Sequence, residues 1–76
     1  MECMVEICAP FAGVVRYTVG AGDTVAVGDP IAVVEAVKLE APVLAPCAGE
    51  VKELSRDPFS NVDGGDVLAL IAPNAE

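Results

Sequence analysis

Two halves of this 76-residue chain carry the same pattern. Ala9-Pro10-Phe11-Ala12-Gly13-Val14-Val15 matches Ala45-Pro46-Cys47-Ala48-Gly49-Glu50-Val51. Gly28-Asp29-Pro30-Ile31-Ala32-Val33-Val34 matches Gly65-Asp66-Val67-Leu68-Ala69-Leu70-Ile71 at almost the same offset. Each half therefore reads as a turn, a strand, a Gly-Asp turn and another strand. An internal repeat constrains a fold more strongly than any local propensity. Two copies are too few for a solenoid, which leaves two intertwined halves related by a pseudo-two-fold axis.

The strand pattern follows the repeat. Residues 4–9 alternate loosely, 13–19 hold Val14, Val15, Tyr17 and Val19, and 31–35 form an apolar run. Residues 39–44 contain Pro42, which belongs on an edge strand or at a bend. Segments 49–54 and 67–71 complete six strands. Turn chemistry separates them at Gly20-Ala21-Gly22-Asp23, Gly28-Asp29-Pro30, Ala45-Pro46, Arg56-Asp57-Pro58 and Asp63-Gly64-Gly65-Asp66. A helix over residues 31–40 is the main competitor, but it lacks an N-cap at the right place and Pro42 would truncate it. The expectation is an all-β chain of short, evenly spaced strands. A chain of this length makes one small domain, 1–76, with its core over about residues 4–72.

Composition narrows the function. The chain is 54% hydrophobic but only 4% aromatic, and Val and Ala suit thin, closely packed β-layers. Twelve acids against four bases give a net charge of -8. Nucleic acid and anionic membrane surfaces both require basic patches, so neither is an expected partner. No run of about twenty apolar residues is available for a membrane span. The first residues lack the basic start of a signal peptide. Cys3, Cys8 and Cys47 are odd in number, which rules out a complete intrachain disulfide framework. They read as free, largely buried thiols in a reducing cytoplasmic compartment. With no His, the usual general base is missing, so the chain is not expected to make or break bonds alone. No metal site is expected either.

Lys38 is one of two lysines, and it stands between the halves in Glu35-Ala36-Val37-Lys38-Leu39-Glu40. If the flanking segments are antiparallel strands, Ala36-Val37-Lys38 is their link and Lys38 projects at its tip. A two-residue hairpin turn favours Asn-Gly or Gly-x because it needs positive φ, which β-branched Val37 resists. Residues so ill-suited to the turn point to selection for something other than folding. A projecting amine between apolar neighbours is accessible to another enzyme and, once deprotonated, is a good acyl acceptor.

This segment, with Ala45-Pro46-Cys47-Ala48-Gly49 and Gly65-Asp66-Val67-Leu68, resembles the biotinyl/lipoyl attachment domain family over nearly the whole chain. In the biotin carboxyl carrier branch the motif typically reads Glu-Ala-Met-Lys-Met, often with Leu in the last position. The present chain keeps Glu35, Ala36, Lys38 and Leu39 and places Val37 at the first Met. In the lipoyl branch, Asp usually precedes the lysine and Ala follows it, so Val37 and Leu39 side with biotin. The resemblance implies a flattened β-barrel or sandwich of two four-stranded antiparallel sheets, with covalent biotin on Lys38 at one end. It also implies a carrier rather than an enzyme, moving a carboxyl group between two active sites. Its partners would be a biotin protein ligase and biotin carboxylase, carboxyltransferase or decarboxylase subunits. On the same resemblance, Glu35 and Ala36 would take part in ligase recognition, and Val37 and Leu39 would flank the arm. Two alternatives stand beside this one: a lipoyl carrier of a 2-oxo acid dehydrogenase-type complex, with lipoate on Lys38, or an unmodified assembly module of the same fold.

Three departures from the family pattern matter. Val37 replaces Met next to the lysine. Asp57-Pro58-Phe59-Ser60-Asn61-Val62 stands where the first half has Gly20-Ala21-Gly22-Asp23-Thr24-Val25, with one residue inserted overall, so a reshaped loop is expected there. No insertion follows Arg16-Tyr17-Thr18-Val19, so the protruding thumb of some acetyl-CoA carboxylase carriers is not expected. That favours a decarboxylase, transcarboxylase or pyruvate or acyl-CoA carboxylase carrier. Lys52, flanked by Glu50 and Glu53, reads as one member of a cross-strand surface pair. Gly13, Gly28, Gly49 and Gly65 read as turn glycines providing positive φ or close approach. Met1 and the polar Asn74-Ala75-Glu76 end suit a complete small chain and, equally, a domain cut from a longer one.

Overall fold

Short Val- and Ala-rich runs between Gly, Pro and Asp turns can each bury only one face, so they must pair and then stack. The computed structural model, which describes residues 4–73, resolves this as eight strands with no helix among those residues. They are β1 Val5–Cys8, β2 Gly13–Tyr17, β3 Thr24–Val25, β4 Pro30–Glu35, β5 Glu40–Leu44, β6 Gly49–Leu54, β7 Asn61–Val62 and β8 Val67–Pro73. The expected all-β class holds, and residues 31–35 belong to a strand rather than a helix. Two four-stranded sheets form, in the orders β1-β8-β6-β3 and β5-β4-β2-β7, with every pairing antiparallel. They pack into a sandwich that does not close into a barrel. β5 is an edge strand, which is where Pro42 can sit without a missing ladder bond. Among the described residues no helix is long and apolar enough to cross a membrane.

The repeat is visible in the core. The six largest fully buried side chains are three repeat-related pairs: Val15 with Val51, Ile31 with Leu68, and Val34 with Ile71. Each contributes about 1.5–3 kcal/mol by leaving water. No charged or polar residue is buried among the described residues. Tyr17 ties the sheets together, because its hydroxyl on β2 donates to the Leu68 carbonyl on β8 at 2.6 Å. The pseudo-symmetry places the 36–39 connection at one end of a molecule 40 Å long and residues 4 and 73 at the other.

β3 and β7 are two residues each and are absent from the six-strand reading. They are too short to show alternation, and only pairing with β6 and β2 makes them strands.

The 57–62 loop is not reshaped, contrary to expectation. The Gly22 amide donates to the Val51 carbonyl at 2.7 Å, and the Phe59 amide donates to the Val15 carbonyl at 2.7 Å. Val51 and Val15 return bonds to the Asp23 and Ser60 carbonyls at 2.8 and 3.1 Å. The inserted residue is absorbed upstream, where the β6–β8 register slips between Val51 and Glu53. Lys52 is that bulge residue. It pairs with Glu50 of its own strand at 3.2 Å, which corrects the cross-strand expectation.

Keeping the loop has a cost at Phe59, which takes the place of Gly22. Gly22 has φ 96°, and Phe59 has φ 63°, the one non-glycine residue at positive φ among those described. That conformation disfavours an L side chain by about 1–2 kcal/mol, and Phe59 recovers little of it by burial, being 71% exposed. Phe59→Gly is therefore expected to raise stability by about 0.5–1 kcal/mol after the entropic cost of glycine. The check is a higher urea midpoint at unchanged slope; a lower midpoint would mean that the phenyl ring packs favourably.

The thiols also differ from expectation. Cys8 is exposed and Cys47 half-buried, both free, and Cys3 lies outside the described residues. Cys8 follows buried Ile7 on β1, so strand alternation turns it outward.

Candidate functional site

The five residues singled out on the central segment all lie on one hairpin. β4 and β5 pair as far as Glu35 opposite Glu40, and residues 36–39 form the turn. The turn is closed by the Ala36 amide donating to the Leu39 carbonyl at 2.7 Å. Neither Val37 nor Lys38 has positive φ, so the backbone strain expected at Val37 is absent. Val37 is 98% exposed and Leu39 61%, apolar surface that the fold leaves in water on both sides of the lysine. Lys38 itself is exposed and makes no ion pair among the described residues. The other lysine, Lys52, lies on the opposite sheet and is held by Glu50.

The base of the hairpin carries a charge cluster that the sequence reading did not assemble. Glu35 and Glu40 are directly opposed, and like charges in that position repel. Arg16, two residues along β2 from the partner of Glu35, reaches both of them. Its Nη2 lies 3.2 Å from Glu40 Oε2 and 3.8 Å from Glu35 Oε2. Three strands are thereby linked on the outer face just below the turn. Two glutamates placed symmetrically about a predicted turn were a readable sign of the repulsion. The diagonal reach of Arg16 was not, because it depends on the β2–β4 register.

Arg16 does not fully offset the repulsion. The hydrogen bond that Glu40 shares with the Glu35 carboxyl, followed by the charge of Glu35, lifts the Glu40 pKa above its usual 4.5. The folded state thus holds a proton that the unfolded chain releases earlier. The benefit is complete below about pH 4.5 and is lost as pH rises through the folded pKa. Glu40→Gln is accordingly expected to be more stable than wild type near pH 7, with the difference vanishing in acid. Thermal melts of both proteins from pH 3.5 to 7 check this; a constant difference across that range would contradict it.

The model of the family described as biotin-requiring enzyme matches residues 5–71. The chain is 36% identical over 61 residues to the biotinylated protein TB7.3 homolog of Mycobacterium leprae (strain TN), covering 80% of this chain and 86% of that protein. It is 40% identical over 67 residues to a pyruvate carboxylase of Aspergillus niger, covering 87% of this chain but 6% of the enzyme. The fold superposes with a TM-score of 0.87, at 25% identity, on a single-chain, multi-domain long-chain acyl-CoA carboxylase; the match covers 96% of this chain and 7% of that one. The chain thus spans most of a small relative and a small fraction of the large enzymes.

Proposed function

The chain belongs to the biotin/lipoyl family of biotin-requiring enzymes, and on that premise we propose that it is a biotin carboxyl carrier whose Lys38 is the attachment point. As a carrier domain it is similar to the biotinyl domains of carboxylases. The observation that carries the reading is the display of Lys38 at the tip of the β4–β5 hairpin, exposed and unpaired among the described residues, between exposed Val37 and Leu39.

These residues fit the group. An amide to biotin requires an amine that a second protein can surround, and a tip residue at one end of a 40 Å sandwich offers that access. Within a biotin protein ligase, deprotonated Nζ would form an amide with the carboxyl carbon of biotin. The elements of water lost in the condensation are accounted for by cleavage of ATP. Biotin, when bound, accepts and releases a carboxyl group at active sites that other proteins provide. The chain's own contribution is positional. Arg16 links β2 to the two strands of the hairpin through Glu35 and Glu40, the turn bond holds the tip, and the lysine stem supplies motion. Tethering raises the effective concentration of the carried group at each partner site.

In this reading the chain is a single unit and performs no catalysis alone. Its partners are the ligase and the carboxylase, carboxyltransferase or decarboxylase subunits of a larger assembly, and its compartment is the cytoplasm. Intact mass after incubation with a biotin ligase, biotin and ATP tests the proposal. One added biotinyl group is expected; a lipoyl adduct on protein from its native host would identify the carrier as a lipoyl one instead.

A further inference from the structure

On the β2 and β7 side of the hairpin lies an open groove of about 520 Å³, within the size range of small-molecule sites. Val14, Ala36 and Val37 give it apolar lining, and Glu35, Asn61 and Asp63 add polar groups. Ala12, Gly13 and Val62 complete the lining, beside the short strand β7. Val37 precedes Lys38 directly, so the groove begins one peptide bond from the attachment point.

The polar groups of the groove have capacity to spare. Neither Asn61 nor Asp63 engages its side chain in a hydrogen bond or ion pair among the described residues. Glu35 meets Arg16 only at 3.8 Å and shares a hydrogen bond with Glu40, which leaves its carboxyl with further acceptor sites. Carboxylates accept N–H donors, and the Asn61 amide can donate to a carbonyl. A cyclic urea presents two N–H donors beside one carbonyl, fused in biotin to an apolar ring. A dithiolane presents no donor at all. The groove therefore complements the first group in both its polar and its apolar parts.

We propose that this groove is a resting site for the bicyclic urea ring carried on Lys38, an inference that rests on the biotin carrier reading. Val14, Ala36 and Val37 shelter the apolar part of the ring, while Glu35, Asp63 and Asn61 satisfy its urea. Between transfers the carried group is held against the domain, and a partner must draw it out.

The test uses the whole chain, with biotinylation verified by intact mass. Backbone amide shifts are compared between the biotinylated and bare proteins, and streptavidin capture is timed for wild type, Val14→Phe and Asn61→Trp. Both substitutions fill the groove without changing charge, and Asn61 is exposed, so that variant is not expected to disturb folding. A ring at rest about nine-tenths of the time would slow capture about tenfold. The expected result is shifts reaching Val14, Asn61 and Asp63, with capture of the filled variants about tenfold faster than wild type. Shifts confined to residues 36–39, with equal capture rates, overturn the inference and leave the carrier reading intact. A chain that stays bare by mass despite ligase, biotin and ATP overturns both.

Discussion

Lys38→Arg is expected to abolish biotin incorporation completely, while Lys52→Arg leaves it unchanged. Arginine preserves charge and length, but its guanidinium stays protonated and is not an acyl acceptor. The substitution therefore isolates the chemistry of the amine from its electrostatics. The structure explains why the second lysine is no substitute. Lys52 lies on a bulge of the other sheet, 3.2 Å from Glu50, with no turn to present it. Lys38 is exposed and pairs with nothing among the described residues, so Lys38→Arg should change stability by less than about 0.5 kcal/mol. Loss of label can then be assigned to the missing amine. A streptavidin blot with intact mass on wild type and both variants reads the result, and label persisting in Lys38→Arg would sink the assignment.

The largest effect on stability is expected from Gly13→Ala and its repeat counterpart Gly49→Ala. A Cβ on Gly13 would lie far inside contact distance of the Glu35 carbonyl oxygen, and 2.9 Å from its carbon. A Cβ on Gly49 would meet the Ala72 carbonyl in the same way, with the carbon again at 2.9 Å. Both obstacles are backbone in paired strands, which cannot rotate aside as a side chain can. The strands must separate, at a cost of about 3 kcal/mol or more. A chain of this size has about 4–11 kcal/mol of stability in total, so either variant should lose a large share of it and unfold at a much lower urea concentration. Gly20→Ala is the control, because its Cβ would find only the Asp23 side chain at 3.9 Å and φ there is not positive. It should lie within about 0.5 kcal/mol of wild type. Urea unfolding of the three variants checks this, and a Gly13→Ala midpoint equal to that of Gly20→Ala would refute it. Gly13 is also next to Val14, the partner of Glu35, so a surviving Gly13→Ala protein should present Lys38 less uniformly.

The legible parts of the protein were those written in contiguous residues. Ala-Pro-x-Ala-Gly and Gly-Asp, each appearing twice, announced the two halves, and all three pairs of large core side chains follow from that register. The Lys38 hairpin was legible because an apolar run, a short link and a Pro-containing edge strand lie next to one another in the chain. The misreadings have a common origin. β3 and β7 were missed because two residues carry no period. Lys52 was given a cross-strand partner because a bulge cannot be seen until β6 is laid against β8. Strain was expected at Val37, whereas the turn forms without positive φ and the strained residue is Phe59, held there by Val15 on a different strand. Cys8 was expected inside and is outside.

The sequence by itself determined the layered all-β class, the pseudo-two-fold and the lysine between the halves. These depend on the order of apolar residues and turn formers along the chain, which survives any choice of register. Only the tertiary structure decided that Arg16 reaches Glu35 and Glu40, that Phe59 occupies the place of a glycine, and that a groove opens beside Val37. Each of these is a distance between residues far apart in sequence. Such distances are set by strand register and by the stacking of the two sheets, to which no local pattern has access.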